Sequence, residues 1–224
     1  MTDAVTGAAR SQRTKAGIVA AALELFREHG FEGTTMRAVA ERAGVSVGNA
    51  YYYFASKDEL VQGFYDQLVA DHTAAALPAL TRPAPLGERL AVTLKAWIAV
   101  AEPYRDFAGR FFAVAARPDN PLSPFSAASS PAREAAVDLY REVVAGSTTG
   151  VDAELARELP ELLWLYHLGV VLFWVHDASE RNARTHLLVE RTAPMVERLA
   201  RLSRLPVARP LARQAVELVA LLRN

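Results

Sequence analysis

The sequence of 224 residues predicts an all-α protein, and three observations support this prediction. Apolar residues return at spacings of three and four along most of the chain, which is the periodicity of amphipathic helices. No stretch alternates strictly between apolar and polar residues, and no hairpin signal appears, so strands are not expected. Glycine, serine and threonine residues stand where helices should end or begin.

The composition favours a folded, cytoplasmic protein. Hydrophobic residues make up 51% of the chain, which suffices for a sizeable core. The absence of cysteine excludes disulfides, thiolate zinc sites and cysteine nucleophiles, and it fits a reducing compartment. Residues 1–17 lack the apolar stretch of a secretory signal. The longest apolar run, Leu162 to Val175, has 14 residues, whereas a membrane span needs about 20, so no membrane contact is expected.

The overall charge is neutral, with 25 basic and 25 acidic side chains. Residues 1–57 carry seven basic and five acidic side chains. Any affinity for nucleic acid must therefore come from a few well-placed contacts, because the chain lacks a strong positive field.

The first third of the chain predicts an arm followed by short helices. Residues 1–13 are small and polar, which indicates a flexible arm. An amphipathic helix is expected from Thr14 to Gly30, where the glycine suits a left-handed C-terminal cap. A second, short helix follows from Thr34 and Thr35, which offer its N-terminal cap.

The turn after this second helix points to a helix-turn-helix. Gly44 supplies a positive φ, Val45 fills the angle between the helices, and Ser46 caps a third helix that runs to about Phe54. An ordinary helical corner explains this short pattern equally well.

Further helices are predicted for most of the remaining chain. Ser56 and Glu59 form a capping box that opens a helix extending to about Leu77. A proline-containing loop follows, and residues 118–131 read as a second loop or a flexible lid. The other predicted helices are 86–101, 104–117, 131–146, 152–178, 182–203 and 208–223.

The stretch from Thr34 to Leu60, TTMRAVAERAGVSVGNAYYYFASKDEL, closely resembles the DNA-binding signature of the tetracycline-repressor (TetR) family. The shared features are the Thr-Thr helix start, the Ala-Gly-Val-Ser turn, the Tyr-x-Tyr-Phe end and the Ser-Lys-x-Glu-Leu segment. The match covers helices one to four, about a quarter of the chain. The resemblance implies an N-terminal three-helix helix-turn-helix domain over residues 14–56. It also implies a larger C-terminal helical ligand-binding and dimerisation domain over residues 57–224.

A third helix of this length can turn only one face toward DNA. Ala50 and Phe54 share the inner face, which directs the other side chains outward. Asn49 can bond a base edge or a phosphate, and Val47 can contact a thymine methyl group. Including positions where family members touch the DNA backbone, the predicted DNA-binding residues are Thr35, Arg37, Ser46, Val47, Gly48, Asn49, Tyr51, Tyr52 and Lys57. Many relatives carry a long polar residue where this chain has Val47, so the operator sequence is not predicted.

The C-terminal region suits both roles that the resemblance implies. The segment 162–175 is apolar on all sides, so we expect it to be buried all round, between a ligand pocket and a dimer partner. The striped helix 182–203 could complete a four-helix bundle in the dimer. The candidate ligand-binding residues are Trp97, Phe107, Phe111, Trp164, His167 and Trp174, and the alternative is that most of them are core. His167 and His176 lack convergent carboxylates, so neither a metal nor another cofactor is expected.

The predicted function is therefore transcription regulation. We expect a homodimeric repressor that binds a palindromic operator in double-stranded DNA and is released by a small apolar or aromatic effector. A helix-turn-helix activator, or an architectural DNA-binding protein without a ligand, remains the alternative. The sequence contains no phosphate loop, no Gly-x-Ser-x-Gly and no His-Glu-x-x-His motif, so an enzyme is not expected.

Overall fold

The computed structural model describes residues 2–115, 117, 119–205 and 214, except for the side chains of residues 2–9, 110, 113 and 114. In this part of the chain the regular secondary structure is helical, which confirms the all-α prediction. The α-helices are α1 (Thr2–Gly33), α2 (Met36–Arg42), α3 (Val47–Tyr53), α4 (Lys57–Ala76), α5 (Leu86–Ala101), α6 (Arg105–Ala115), α7 (Ser130–Ala145), α8 (Ala153–His176) and α9 (Ala183–Leu202). The predicted helix 208–223 lies outside the described residues, apart from position 214.

Helix α1 differs from its predicted bounds, whereas α2 to α9 begin and end within two residues of theirs. The segment predicted as a flexible arm, residues 1–13, is helical from Thr2 onward. Alanines in this segment are strong helix formers, and extending an existing helix costs far less than nucleating a new one. Gly30 has φ +76°, so the left-handed conformation predicted at this position is present.

Contacts divide the chain into two compact units. The first unit comprises Met1–Val69 and Pro103–Arg133, and the second comprises Ala70–Glu102 and Glu134–Asn224. This division differs from a single boundary at residue 57, because α4 continues without a break through that position and contributes to both units.

The first unit has an apolar core formed by α1 to α4 and α6. Among its most deeply buried side chains are Ile18, Ala22, Phe26, Val39, Ala50, Phe54, Leu60, Val61, Phe64 and Phe107. Arg42 also joins α2 to α1 through ion pairs with Glu24 (3.0 Å) and Glu28 (2.8 Å). The hydrogen bond from Arg42 lowers the pKa of Glu28. Because the pairs are exposed, the apolar core contributes more to the stability of this unit.

The segment after α6, predicted as a loop or flexible lid, is a loop hydrogen-bonded to α4. Gln62 Nε2 donates to the carbonyl of Pro121 (2.9 Å), and the Tyr65 hydroxyl donates to the carbonyl of Leu122 (3.0 Å). Leu122 is also buried in the core of the first unit. These contacts hold the loop in place, which local sequence composition does not reveal.

In the second unit, α5 and α9 approach each other closely near Gly87. A Cβ atom at this glycine would lie 3.0 Å from the carbonyl oxygen of Ala193, so a larger residue would push the helices apart. The Gly87 amide donates to Glu197 Oε2 (3.1 Å), and Lys95 pairs with Glu190 (2.7 Å) further along the two helices.

A buried arginine joins three segments of the second unit. Arg89 is only 2% exposed, and its guanidinium donates to four backbone carbonyls, those of Leu80, Arg82, Glu142 and Val143, at 2.7–3.0 Å. Two of these carbonyls belong to the last turns of α7, where a positive charge interacts favourably with the helix dipole. Gly146 fits beside it because a Cβ atom there would lie 2.2 Å from the guanidinium.

Replacing this arginine should strongly destabilise the second unit. We expect Arg89→Met to lower the free energy of unfolding by about 2–4 kcal/mol, because buried carbonyls lose a charged donor. Urea denaturation followed by circular dichroism measures the change. The control is Arg82→Met, which alters an exposed side chain and keeps the carbonyl that Arg89 contacts. Equal, small effects of both substitutions would contradict the structural role of Arg89.

Candidate nucleic-acid interface and buried polar cluster

The turn between α2 and α3 has the predicted helix-turn-helix geometry. Gly44 has φ +66°, and the amide of the next residue, Val45, donates to the carbonyl of Ala40 (3.0 Å). The Ser46 hydroxyl accepts from the Asn49 amide (3.1 Å), so it caps α3 as expected. Thr35 caps α2 in the same way, accepting from the Ala38 amide at 3.2 Å.

Close packing fixes the rotation of α3. Ala50 is 0% exposed and Phe54 is 3% exposed, so both face inward as predicted. Gly63 on α4 permits this arrangement, because a Cβ atom there would lie 2.7 Å from the Phe54 ring. Gly63 carries no signal in the sequence, since only the tertiary contact explains it.

The outward face of α3 carries residues predicted to touch DNA. Tyr52 is 80% exposed, Tyr51 is 51% exposed and Val47 is 36% exposed. Gly48 also lies at the surface, and Asn49 is half-buried. On α2 and its cap, Arg37 and Thr35 are exposed as well. An exposed apolar side chain beside tyrosine hydroxyls and an amide can offer both apolar and hydrogen-bonding contacts to a base-pair edge or a phosphate.

Lys57 has a structural contact that the sequence did not suggest. Its ammonium donates to the carbonyls of Phe31 (2.8 Å) and Glu32 (3.4 Å), and it lies 4.7 Å from the Phe31 ring centroid. It therefore stabilises the C-terminal end of α1. Of its three N–H groups, one remains for a phosphate contact.

The candidate ligand-binding residues do not lie in one unit. Phe107 and Phe111 belong to the core of the first unit, where Phe107 stacks on Phe26 (centroids 5.7 Å apart) and on Phe111 (5.1 Å). These rings border a cleft of about 230 Å³ near the end of α1. Trp97, Trp164, His167 and Trp174 belong to the second unit.

Three of these second-unit residues meet at a buried cluster. His167 on α8 packs against Trp97 on α5, with ring centroids 5.0 Å apart. The ring of His72 lies 5.7 Å away and that of Tyr140 lies 5.9 Å away. Trp174 packs against Trp97 (5.1 Å), and its indole N–H donates to Glu102 Oε2 (3.2 Å), which anchors this ring in the core.

Part of this cluster lacks hydrogen-bond partners. His72 Nε2 donates to the carbonyl of Thr93 (2.9 Å). Within the described residues, neither ring nitrogen of His167 and not the hydroxyl of Tyr140 has a hydrogen-bond partner, and all three atoms are inaccessible to solvent. A buried polar group without a partner costs about 1–3 kcal/mol. The protein therefore tolerates an unfavourable arrangement at this cluster.

The cluster is electrically neutral near pH 7. Burial, and to a smaller extent the nearby His72, holds the pKa of His167 well below its ordinary value. Burial also lowers the pKa of His72 and raises the pKa of Tyr140. His167 and Trp97 were predicted from the sequence as site residues, whereas Tyr140 and His72 were not, because these two come from other helices and join the cluster only through tertiary packing.

Helix α8 contributes His167 and both buried tryptophans from one side. It was expected to be buried all round, yet Leu172 and Phe173 are 45% and 40% exposed. Among the described residues it alone is long and apolar enough, by length and composition, to cross a membrane. Core helices of soluble proteins meet the same description, and Trp164, His167 and Trp174 are buried within the second unit.

Family profiles match both parts of the chain. The profile described as "Bacterial regulatory proteins, tetR family" matches residues 18–63, and "Tetracyclin repressor-like, C-terminal domain" matches residues 89–220. The second match spans more than half of the chain and includes the buried polar cluster apart from His72.

Several curated regulators are similar over the N-terminal region. The HTH-type transcriptional regulator TtgR of Pseudomonas putida is 40% identical over 79 residues, which are 34% of this chain and 38% of that protein. The HTH-type transcriptional repressor KstR2 of Mycobacterium tuberculosis is 43% identical over 72 residues, 30% of this chain and 35% of that protein. The matched segment thus spans little more than a third of these relatives.

Solved structures share the fold over most of the chain. A TetR transcriptional regulator from Nitrosomonas europaea matches with a TM-score of 0.62 and 20% identity, covering 81% of this chain and 96% of that one. The regulator FadR from Bacillus subtilis, solved in complex with stearoyl-CoA, matches with a TM-score of 0.61 and 16% identity, covering 80% and 96%. At these identities the likeness concerns the fold.

Proposed function

This chain belongs to the tetracycline-repressor family of transcriptional regulators, and we propose that it is a dimeric repressor released from a palindromic operator by a small apolar or aromatic effector. The observation that carries the proposal is the exposed face of α3, which is held rigidly by Ala50 and Phe54. A short helix with a buried inner face and exposed tyrosines, valine and glycine is suited to enter the major groove.

Base recognition is assigned to the first turn of α3 and to α2. Val47 can contact a thymine methyl group, and Gly48 permits close approach of the helix backbone. The Asn49 side chain can bond a base edge, and the guanidinium of Arg37 can reach a base edge or a phosphate. The remaining exposed groups, those of Thr35, Ser46, Tyr51, Tyr52 and Lys57, then hold the protein on the DNA backbone.

The proposed dimer uses the exposed apolar faces of α8 and α9. Helix α9 buries one face through Val189 and Ala193, and it packs on α5. Its other face exposes a stripe of large apolar side chains in the single chain. Together with two residues of α8, this apolar surface comprises Leu172, Phe173, Leu187, Met195, Leu199 and Leu202. Two copies related by a two-fold axis would bury it in a four-helix bundle.

The proposed effector site is the aromatic cluster around His167 and Trp97. Solved FadR from Bacillus subtilis holds stearoyl-CoA, which supports small-molecule binding by a protein of this fold. An effector releases DNA only when it favours a dimer form whose recognition helices do not match the operator. A hundredfold loss of operator affinity requires about 2.7 kcal/mol of differential binding between the two forms.

The proposed roles on α3 predict two distinguishable kinds of defect. Asn49→Ala should change the preferred base at one position in each half-site, by about 1–3 kcal/mol. Tyr51→Phe removes one phosphate-contacting hydroxyl and should weaken binding to all sequences alike. Fluorescence anisotropy with a set of single-base operator variants measures both effects. The role of the hydroxyl is wrong if Tyr51→Phe binds every operator variant as tightly as the parent protein.

A charge placed on the α8–α9 surface should prevent dimer formation. We expect Leu199→Glu to give a monomer at micromolar concentration and to reduce operator affinity at least about a hundredfold, because one protomer contacts one half-site. Light scattering and anisotropy measure the two effects. Leu77→Glu is the matched control, since Leu77 is an exposed leucine of the second unit outside α8 and α9. A dimeric Leu199→Glu variant would contradict this assignment of the interface.

A further inference from the structure

We propose that the effector is an uncharged aromatic compound carrying one hydroxyl or amide group, which hydrogen-bonds to both His167 and Tyr140. This inference rests on the proposed function, since it specifies the ligand class of the proposed effector site. It starts from the three buried polar atoms that lack partners in the described part of the chain and that belong to this cluster.

The enclosing side chains come from four helices. His167 lies on α8, Tyr140 on α7, Trp97 on α5 and His72 on α4. Around the His167 ring the other three rings stand edge-on, at interplanar angles of 64–75°. Aromatic walls in this arrangement favour a flat apolar body, which can stack on one ring and meet the edges of the others.

The hydrogen-bonding capacity of the cluster selects the polar group of the ligand. A neutral imidazole offers one donor and one acceptor, and a phenol hydroxyl offers both as well. His72 is already engaged by the carbonyl of Thr93, so its Nε2 is not required for the ligand. A group that both donates and accepts, such as a hydroxyl or an amide, can satisfy His167 and Tyr140 together.

The charges around the cluster disfavour an anionic ligand. Burial keeps His72, His167 and Tyr140 uncharged near pH 7. The guanidinium of Arg89, the buried cation of this unit, is engaged by four backbone carbonyls. A carboxylate would therefore have to bring a proton onto His167 beside a second histidine, which burial opposes.

Three compounds with the same ring system test this selectivity. Naphthalene, 2-naphthol and 2-naphthoate are titrated into the full-length dimer at about pH 7.5, where a phenol is still protonated. We expect 2-naphthol to bind about tenfold more tightly than naphthalene, as one well-formed buried hydrogen bond allows, and more tightly than 2-naphthoate. Calorimetry gives the dissociation constants, and the melting temperature gives an independent ranking. Equal affinities for 2-naphthol and naphthalene, tighter binding of 2-naphthoate, or no binding of any of the three would overturn the proposal.

A single-atom substitution assigns the preference to this cluster. Tyr140→Phe removes a hydroxyl that has no partner within the described structure, so the fold should be retained. We expect this variant to bind naphthalene as before and to lose most of its preference for 2-naphthol. Tyr104→Phe, in the first unit, is the matched control and should keep the full preference. Retention of the preference by Tyr140→Phe would overturn the assignment to this hydroxyl.

Operator binding by the unliganded protein separates this inference from the proposed function. If the chain binds a specific DNA sequence but does not prefer 2-naphthol, the ligand class is wrong and the regulator assignment stands. If it binds no specific DNA sequence, the proposed function is wrong, and the ligand ranking still decides the chemistry of the cluster. If the chain binds its operator and 2-naphthol releases it at lower concentration than naphthalene, both are supported.

Discussion

The burial of Ala50 and Phe54 is the constraint on which the proposed interface with DNA depends. A helix of seven residues has no room for two independent buried faces, so fixing these two side chains inward fixes the direction of the others. Gly63 makes the close approach of the Phe54 ring possible, and the Gly44 turn and the Ser46 cap set where α3 starts. Tyr51, Tyr52 and Val47 are exposed as a direct consequence of this packing.

The second unit combines a rigid scaffold with two unsatisfied features. Arg89 fixes the end of α7 against neighbouring segments, and Gly87 brings α5 against α9. Within this scaffold, the polar atoms of His167 and Tyr140 are buried without partners in the described structure. On the outside, α9 exposes large apolar side chains. Both features cost free energy in the isolated chain, and a ligand and a second protomer would each remove one of these costs.

Local signals in the sequence were sufficient for most of the fold. Periodicity and caps located α2 to α9 because the hydrogen bonds of a helix and its caps involve residues close in sequence. The Ser56–Glu59 capping box is present, with the Glu59 carboxylate accepting from the Ala55 amide (2.7 Å) and the Ser56 hydroxyl accepting from the Glu59 amide (3.2 Å). The helical extension of α1 to Thr2 was missed, since small polar residues are compatible with either state.

The candidate site was predicted less completely because its members are distant in sequence. Phe107 was grouped with Trp97 on residue type alone, and the structure places the two in different units. Tyr140 and Arg89 gained their importance only from contacts with other helices. Lys57 was assigned to DNA through the family resemblance, whereas its contact with the end of α1 arises only in the tertiary fold.

Selection of bound sequences from a random pool of double-stranded DNA tests the central claim most directly. The measurement uses the full-length protein and applies to any operator sequence, because the pool contains all of them. A two-fold dimer that reads DNA with α3 should enrich an inverted repeat, with half-site centres separated by one or more helical turns of about 34 Å each. A pool without an enriched sequence, or with a single asymmetric site, would contradict the account.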